Sequence, residues 1–151
     1  MGAVTYPGKK VSDYVSENFV PWRIPFDTAN DLLRRYNVVW TPITIFADRK
    51  GSERYRVVGF LPPDAFIAYL AMGNAETAFG SHNYPEAAEL FDTVARDHPE
   101  SCLAPEAIYY RAVCRTKATG DDAHLDAAVA DLKRLFPDSD WSRRTRPWLD
   151  E

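Results

Sequence analysis

Val11, Tyr14, Val15 and Phe19 recur at helical spacing with Lys9, Lys10, Asp13 and Glu17 between them, which predicts a short amphipathic helix over Lys9–Asn18. The period then changes. Val20, Trp22, Ile24 and Phe26 alternate with Pro21, Arg23 and Pro25, predicting a strand over 19–26. Proline donates no backbone hydrogen bond, so this strand belongs at or near a sheet edge. Ala29, Leu32, Leu33 and Tyr36 form the apolar stripe of a second helix, with Asp27 or Thr28 available as its cap and Asn37 as its stop.

The run Val38-Val39-Trp40-Thr41-Pro42-Ile43-Thr44-Ile45-Phe46 is apolar and β-branched, the pattern of a buried strand, but it carries a proline at its threshold. Asp48-Arg49-Lys50-Gly51 is a tight polar turn, and Tyr55 to Gly59 returns as a second strand. Pro62-Pro63-Asp64 then opens a helix in which Phe66, Ile67 and Leu70 can pack back on the sheet. Residues 1–71 therefore predict helix, strand, helix, strand, strand, helix, and the fold class is α+β.

Beyond Met72 strand signals give way to alanine-rich helical ones, which sets a boundary between 1–71 and 72–151, although the helix itself can continue through Ala78 and Phe79. Further helices are predicted from Tyr84 to the His98-Pro99 stop, over 103–119 to Gly120, and over 125–136 to Pro137; Trp141 to Leu149 would form a last, capping helix. Tyr84, Ala87, Phe91 and Pro99 stand at the offsets of the aromatic, small, aromatic and helix-ending positions of a tetratricopeptide repeat, which this region resembles. The two helix-ending prolines, Pro99 and Pro137, lie close to one repeat period apart, and the second copy is degenerate. The resemblance implies an all-α region that holds a partner protein or stabilises the domain before it.

The Thr41-Pro42 threshold, the hairpin that follows and Gly59 at its end resemble the C-terminal half of a thioredoxin domain. The phrase from Val4-Thr5-Tyr6-Pro7 to Phe19-Val20-Pro21 resembles the part of bacterial members that follows the redox dithiol. The resemblance implies thiol–disulfide exchange as the parent activity. It makes Pro42 the cis-proline beside the dithiol, Thr41 the residue whose backbone pairs with an extended peptide, and Gly59 the glycine ending the last strand near that surface. By pattern alone, Pro42 only begins an edge strand and Gly59 only permits a turn. Trp40 can line a peptide groove, but an aromatic beside an apolar strand is more often core, and core packing is the favoured reading. The Cys-x-x-Cys pair itself is absent from the sequence, so no catalytic residue is assigned and the chain is expected to be redox-inactive. An N-terminally shortened oxidoreductase, with the dithiol encoded ahead of Met1, and a non-enzymatic peptide-binding adaptor are the two explanations.

Composition changes this picture little. A hydrophobic fraction of 46% with 26% charged residues fits a folded protein, and a net charge of -4 argues against nucleic acid as a partner. No apolar run spans a bilayer and the first residues lack a signal-peptide core, so the expected location is cytoplasmic, without membrane association. If Cys102 and Cys114 both lie near one helix, about 18 Å separates them, beyond the roughly 7 Å limit for a disulfide, and they should be free thiols. Ser101 and Cys102 have no base and orienting group, so neither is read as a nucleophile.

His82, His98 and His124 have no close ligand companions, so no metal is implied; His98 suits a helix C-terminus. The glycines are scattered, which leaves no phosphate loop and no cofactor. Arg143, Arg144 and Arg146 between Trp141 and Trp148 read as a solvated helix face. The expected partner is a protein or extended peptide, and unpaired sheet edges make a strand-mediated homodimer possible.

Overall fold

The computed structural model describes residues 1–27 and 30–145. Helix α1 spans Lys9–Asn18, burying Val11 and exposing Lys9, Lys10, Asp13 and Glu17, as the spacing predicts. Helix α2 (Asn30–Arg35) is short, and the proposed capping by Thr28 and packing of Ala29 lie outside the described residues.

Strands β1 (Ile43–Ala47) and β2 (Glu53–Val58) form a two-stranded antiparallel sheet with Ile43 opposite Val58 and Phe46 opposite Tyr55. Their turn closes through the Gly51 amide, which donates to the Asp48 carbonyl at 2.8 Å, while the Asp48 carboxylate accepts the amides of Lys50 and Ser52. Those amide bonds, that of Ser52 foremost, and the Arg54 guanidinium hold the Asp48 carboxyl below its usual range. Gly51 has a φ of 71°, a left-handed geometry that glycine adopts without strain.

One element is corrected. Residues 19–25 form no strand, Phe26 and Asp27 lie in a turn, and among the described residues 20–24 make no backbone hydrogen bond. Alternation of apolar residues selects a face but supplies no neighbour, and Pro21 and Pro25 remove two of the donors a ladder would need. Phe19 anchors the start of the segment, meeting the Phe46 ring edge-on at 5.5 Å, and Ile24 is half-buried.

Helix α3 (Pro63–Gly80) joins the two parts of the chain, and the boundary expected after residue 71 falls inside it. Its Phe66 and Leu70 close a small core with Val11, Phe46 and Val57. Further along, Ala71, Met72 and Ala75 pack into a second core with Ala87, Phe91 and Val94 of α4 (Tyr84–Asp97) and Ala107 of α5 (Ala104–Thr119). Gly73 faces the sheet so closely that a Cβ there would sit 2.3 Å from the Phe46 ring. A third cluster joins Ile108 and Ala112 of α5 to Ala128 and Leu132 of α6 (Ala123–Leu135), with Trp141 of α7 (Asp140–Arg144) against it.

Each helix from α3 to α6 packs on the next in sequence. Arg111 of α5 reinforces the stack, lying 2.6 Å from the Asp92 carboxylate of α4 and 3.7 Å from Asp131 of α6. His98 is the C-cap of α4, and Gly120 ends α5 with a φ of 78°. Helix α7 is capped by Ser139, which accepts the Ser142 amide at 3.0 Å; it ends at Arg144, and the rest of the capping helix expected through Leu149, with Arg146 and Trp148, lies outside the described residues.

Candidate functional site: the open end of the hairpin

The chain enters β1 through a segment fixed from two sides. Tyr36, just past α2, donates its hydroxyl to the Gly51 carbonyl at 2.9 Å, and Arg56 of β2 donates to the Tyr36 carbonyl at 2.6 Å while also pairing with Glu53. These bonds tie the end of α2 to the hairpin and define the path of Val38 to Pro42. On the other side, the buried Thr5 hydroxyl donates to the Leu61 carbonyl at 2.7 Å, fixing the exit from β2 to the first turn of the chain.

At the open end the Thr41–Pro42 peptide is cis, and the Gly59 amide donates to the Pro42 carbonyl at 2.8 Å. Pro42 and Gly59, which sequence places seventeen positions apart, are thus joined as the last rung beyond the Ile43–Val58 pair. Gly59 has a φ of 102°, and a Cβ there would meet nothing within 4 Å, so conformation rather than space demands glycine. Thr41 is exposed beside this rung.

Trp40 is 70% exposed, which corrects the core packing favoured for it. The apolar run suggested burial, but burial requires something to cover the ring, and at this end of the sheet nothing among the described residues does. Val39, Val58 and Phe60, at the same end of the hairpin, are exposed as well. An open cavity of about 280 Å³ opens next to Val39, lined by Phe26, Leu33, Arg34, Asn37 and Val38. The structure therefore gathers Trp40, Thr41, Pro42 and Gly59 into one ledge with a polar backbone rung and an apolar border.

The ledge contains no thiol and no ionisable side chain. Both cysteines are free and lie elsewhere: Cys102 is exposed ahead of α5, 3.8 Å from the Tyr69 hydroxyl, and Cys114 is buried within α5. Burial pushes the Cys114 thiol up to about 11, the opposite of what a reactive thiolate needs.

A group the sequence reading passed over is Glu76, set among the apolar residues of α3. Burial first, and the Glu106 carboxylate of α5 second, push its carboxyl up to about 7. Burial also raises Glu106, against the Arg144 guanidinium that lowers it, and raises the Tyr55 and Tyr110 phenols nearby. A lone acid in an otherwise apolar helical stretch was the available signal; the second carboxylate is brought beside it only by the packing of α3 and α5 against α4.

Residues 4–74 match the family model of a thioredoxin-like domain, a little under half of the chain. No curated protein and no solved structure matches the chain. The N-terminal part is thus thioredoxin-like, with a helical region after it, and no helix among the described residues is long and apolar enough to cross a membrane.

Proposed function

We propose that this chain is a relative of the thiol–disulfide oxidoreductases that, lacking their dithiol, works as a docking module for extended protein segments. Two backbone groups and a tryptophan do the work. An extended peptide pairs with the Thr41 backbone beside the Pro42–Gly59 rung, and its apolar side chains lie on Trp40 and Phe60. The observation that carries this reading is the 2.8 Å bond from Gly59 to Pro42, which fixes the rung, together with the exposed indole beside it.

The region after residue 71 is read as tetratricopeptide-like and as a second protein-binding surface. Ala87 and Phe91, two of the four positions that carry that resemblance, are fully buried between consecutive helices, as an interlocking repeat requires. The alternative, a shortened oxidoreductase with latent redox chemistry, differs in needing a thiol at the ledge.

The test is titration of the full chain with reduced, carbamidomethylated α-lactalbumin, an extended polypeptide without reactive thiols, followed by tryptophan fluorescence. Saturable binding is expected, weakened about tenfold by Trp40→Ser and by Gly59→Val, with no reduction of insulin disulfides by the parent chain. Binding indifferent to both substitutions would remove the ledge from the account.

A further inference from the structure

The apolar face beginning at Trp40 extends well beyond the ledge. The segment 19–26 starts at Phe19 against Phe46, near the far end of β1, and reaches Phe26, which lines the same cavity as Val39, just before β1 begins. Along this path the side chains are open to solvent: Val20 is 98% and Trp22 72% exposed, and Val39 at the cavity is 81% exposed. Val20, Trp22, Phe26, Val39, Trp40 and Phe60 together present roughly 800 Å² of surface, taking about 150–250 Å² for a fully exposed aromatic ring. The largest apolar patch of an ordinary monomer is about 300–600 Å², whereas each partner of a stable complex covers about 800 Å².

The geometry points to a second copy of this chain as the occupant, in a two-fold dimer that buries this strip against itself. An isologous contact requires a surface that complements itself, residue i meeting j and j meeting i. The short helix bordering the strip meets that demand. Asp31 and Arg34 are exposed one turn apart on α2, and among the described residues neither has an ion-pair partner, so a two-fold axis there sets each aspartate against the arginine of the other copy. The backbone agrees: among the described residues β1 pairs on one side only, so its other edge is open to strand-like pairing with the partner. The dimer shares Trp40 and Phe60 with the docking ledge, so partner and peptide would compete for them, whereas Val20 and Trp22 lie outside the ledge and report on the dimer alone.

Sedimentation of the full chain from about 1 to about 200 µM tests it. A reversible monomer–dimer equilibrium with a plateau at the dimer is expected, and Val20→Asp and Trp22→Ser should each raise its dissociation constant at least about tenfold. Far-UV circular dichroism of both variants should match the parent, since neither side chain is buried. If a variant loses that signal, amide exchange on the unsubstituted chain decides: greater protection of 20–26 and 39–43 at high concentration supports the dimer, and equal protection at both concentrations overturns it. A monomer throughout the range, open-ended growth, or a dimer indifferent to both substitutions would also overturn it.

Discussion

Phe91 and Trp40 are both large aromatic residues, yet one is fully buried between three helices and the other stands mostly in solvent. The same contrast separates the two parts of the molecule. From α3 to α6 each helix covers the next, buried alanines let the backbones approach, and the rings of Phe79, Phe91 and Tyr110 interlock with centroids 5.4–6.4 Å apart. The thioredoxin-like part has a two-stranded sheet, a small core of five buried residues and a border of exposed valines and aromatics. The first region buries its apolar residues in its own core, and the second leaves many of them exposed.

Substitution of the two rings sharpens the comparison most. Phe91→Ala should cost about 3–5 kcal/mol of unfolding free energy by urea titration, because it empties the centre of the stack, whereas Trp40→Ala should change it by less than about 0.5 kcal/mol. Similar costs at both sites would erase the distinction.

Acid and base act on the junction between α3 and α5. The folded Glu76 carboxyl titrates near 7 against an ordinary value of 4.5, so the folded state holds this proton more tightly than the unfolded chain. Its contribution to stability is complete below about pH 4.5, is lost as pH rises through 7 and then levels off. Allowing for partial exposure, the loss is about 2 kcal/mol. Glu76→Gln should flatten the stability profile between pH 5 and 8 and leave the variant more stable than the parent at about pH 8; parallel profiles would show that Glu76 titrates normally.

Gly73→Ala probes the seam between the regions. Alanine favours a helix over glycine by about 1 kcal/mol, but here its Cβ would strike the Phe46 ring, and a net loss of about 1–3 kcal/mol is expected by thermal unfolding. A stabilised variant would mean that the sheet does not rest on α3 at this point.

Legibility in the sequence followed locality. The range of α1, the Asp48–Gly51 turn and the Gly120 stop are set by residues within a turn of one another, and each stands where its chemistry places it. The strand expected over 19–26 failed because a strand is a relation between two segments, and alternation in one cannot supply the other. Trp40 was misjudged for a related reason: an apolar run predicts burial only if a covering layer exists. Pro42 and Gly59 were legible as a pair through family resemblance alone, since nothing in their spacing requires the bond that joins them. The raised Glu76 carboxyl is not legible in the sequence because it depends on burial first and on the Glu106 carboxylate second, and both are created by the packing of separate helices.

Docking of an extended chain at the hairpin's open end should move the backbone there and nowhere else in the hairpin. Backbone amide chemical-shift mapping of the full chain, titrated with reduced, carbamidomethylated α-lactalbumin, tests it most directly. Saturable shifts concentrated at residues 40–43 and 58–60 are the predicted result. Shifts confined to the helices from α4 onward, with 40–43 and 58–60 unmoved at saturation, would contradict it.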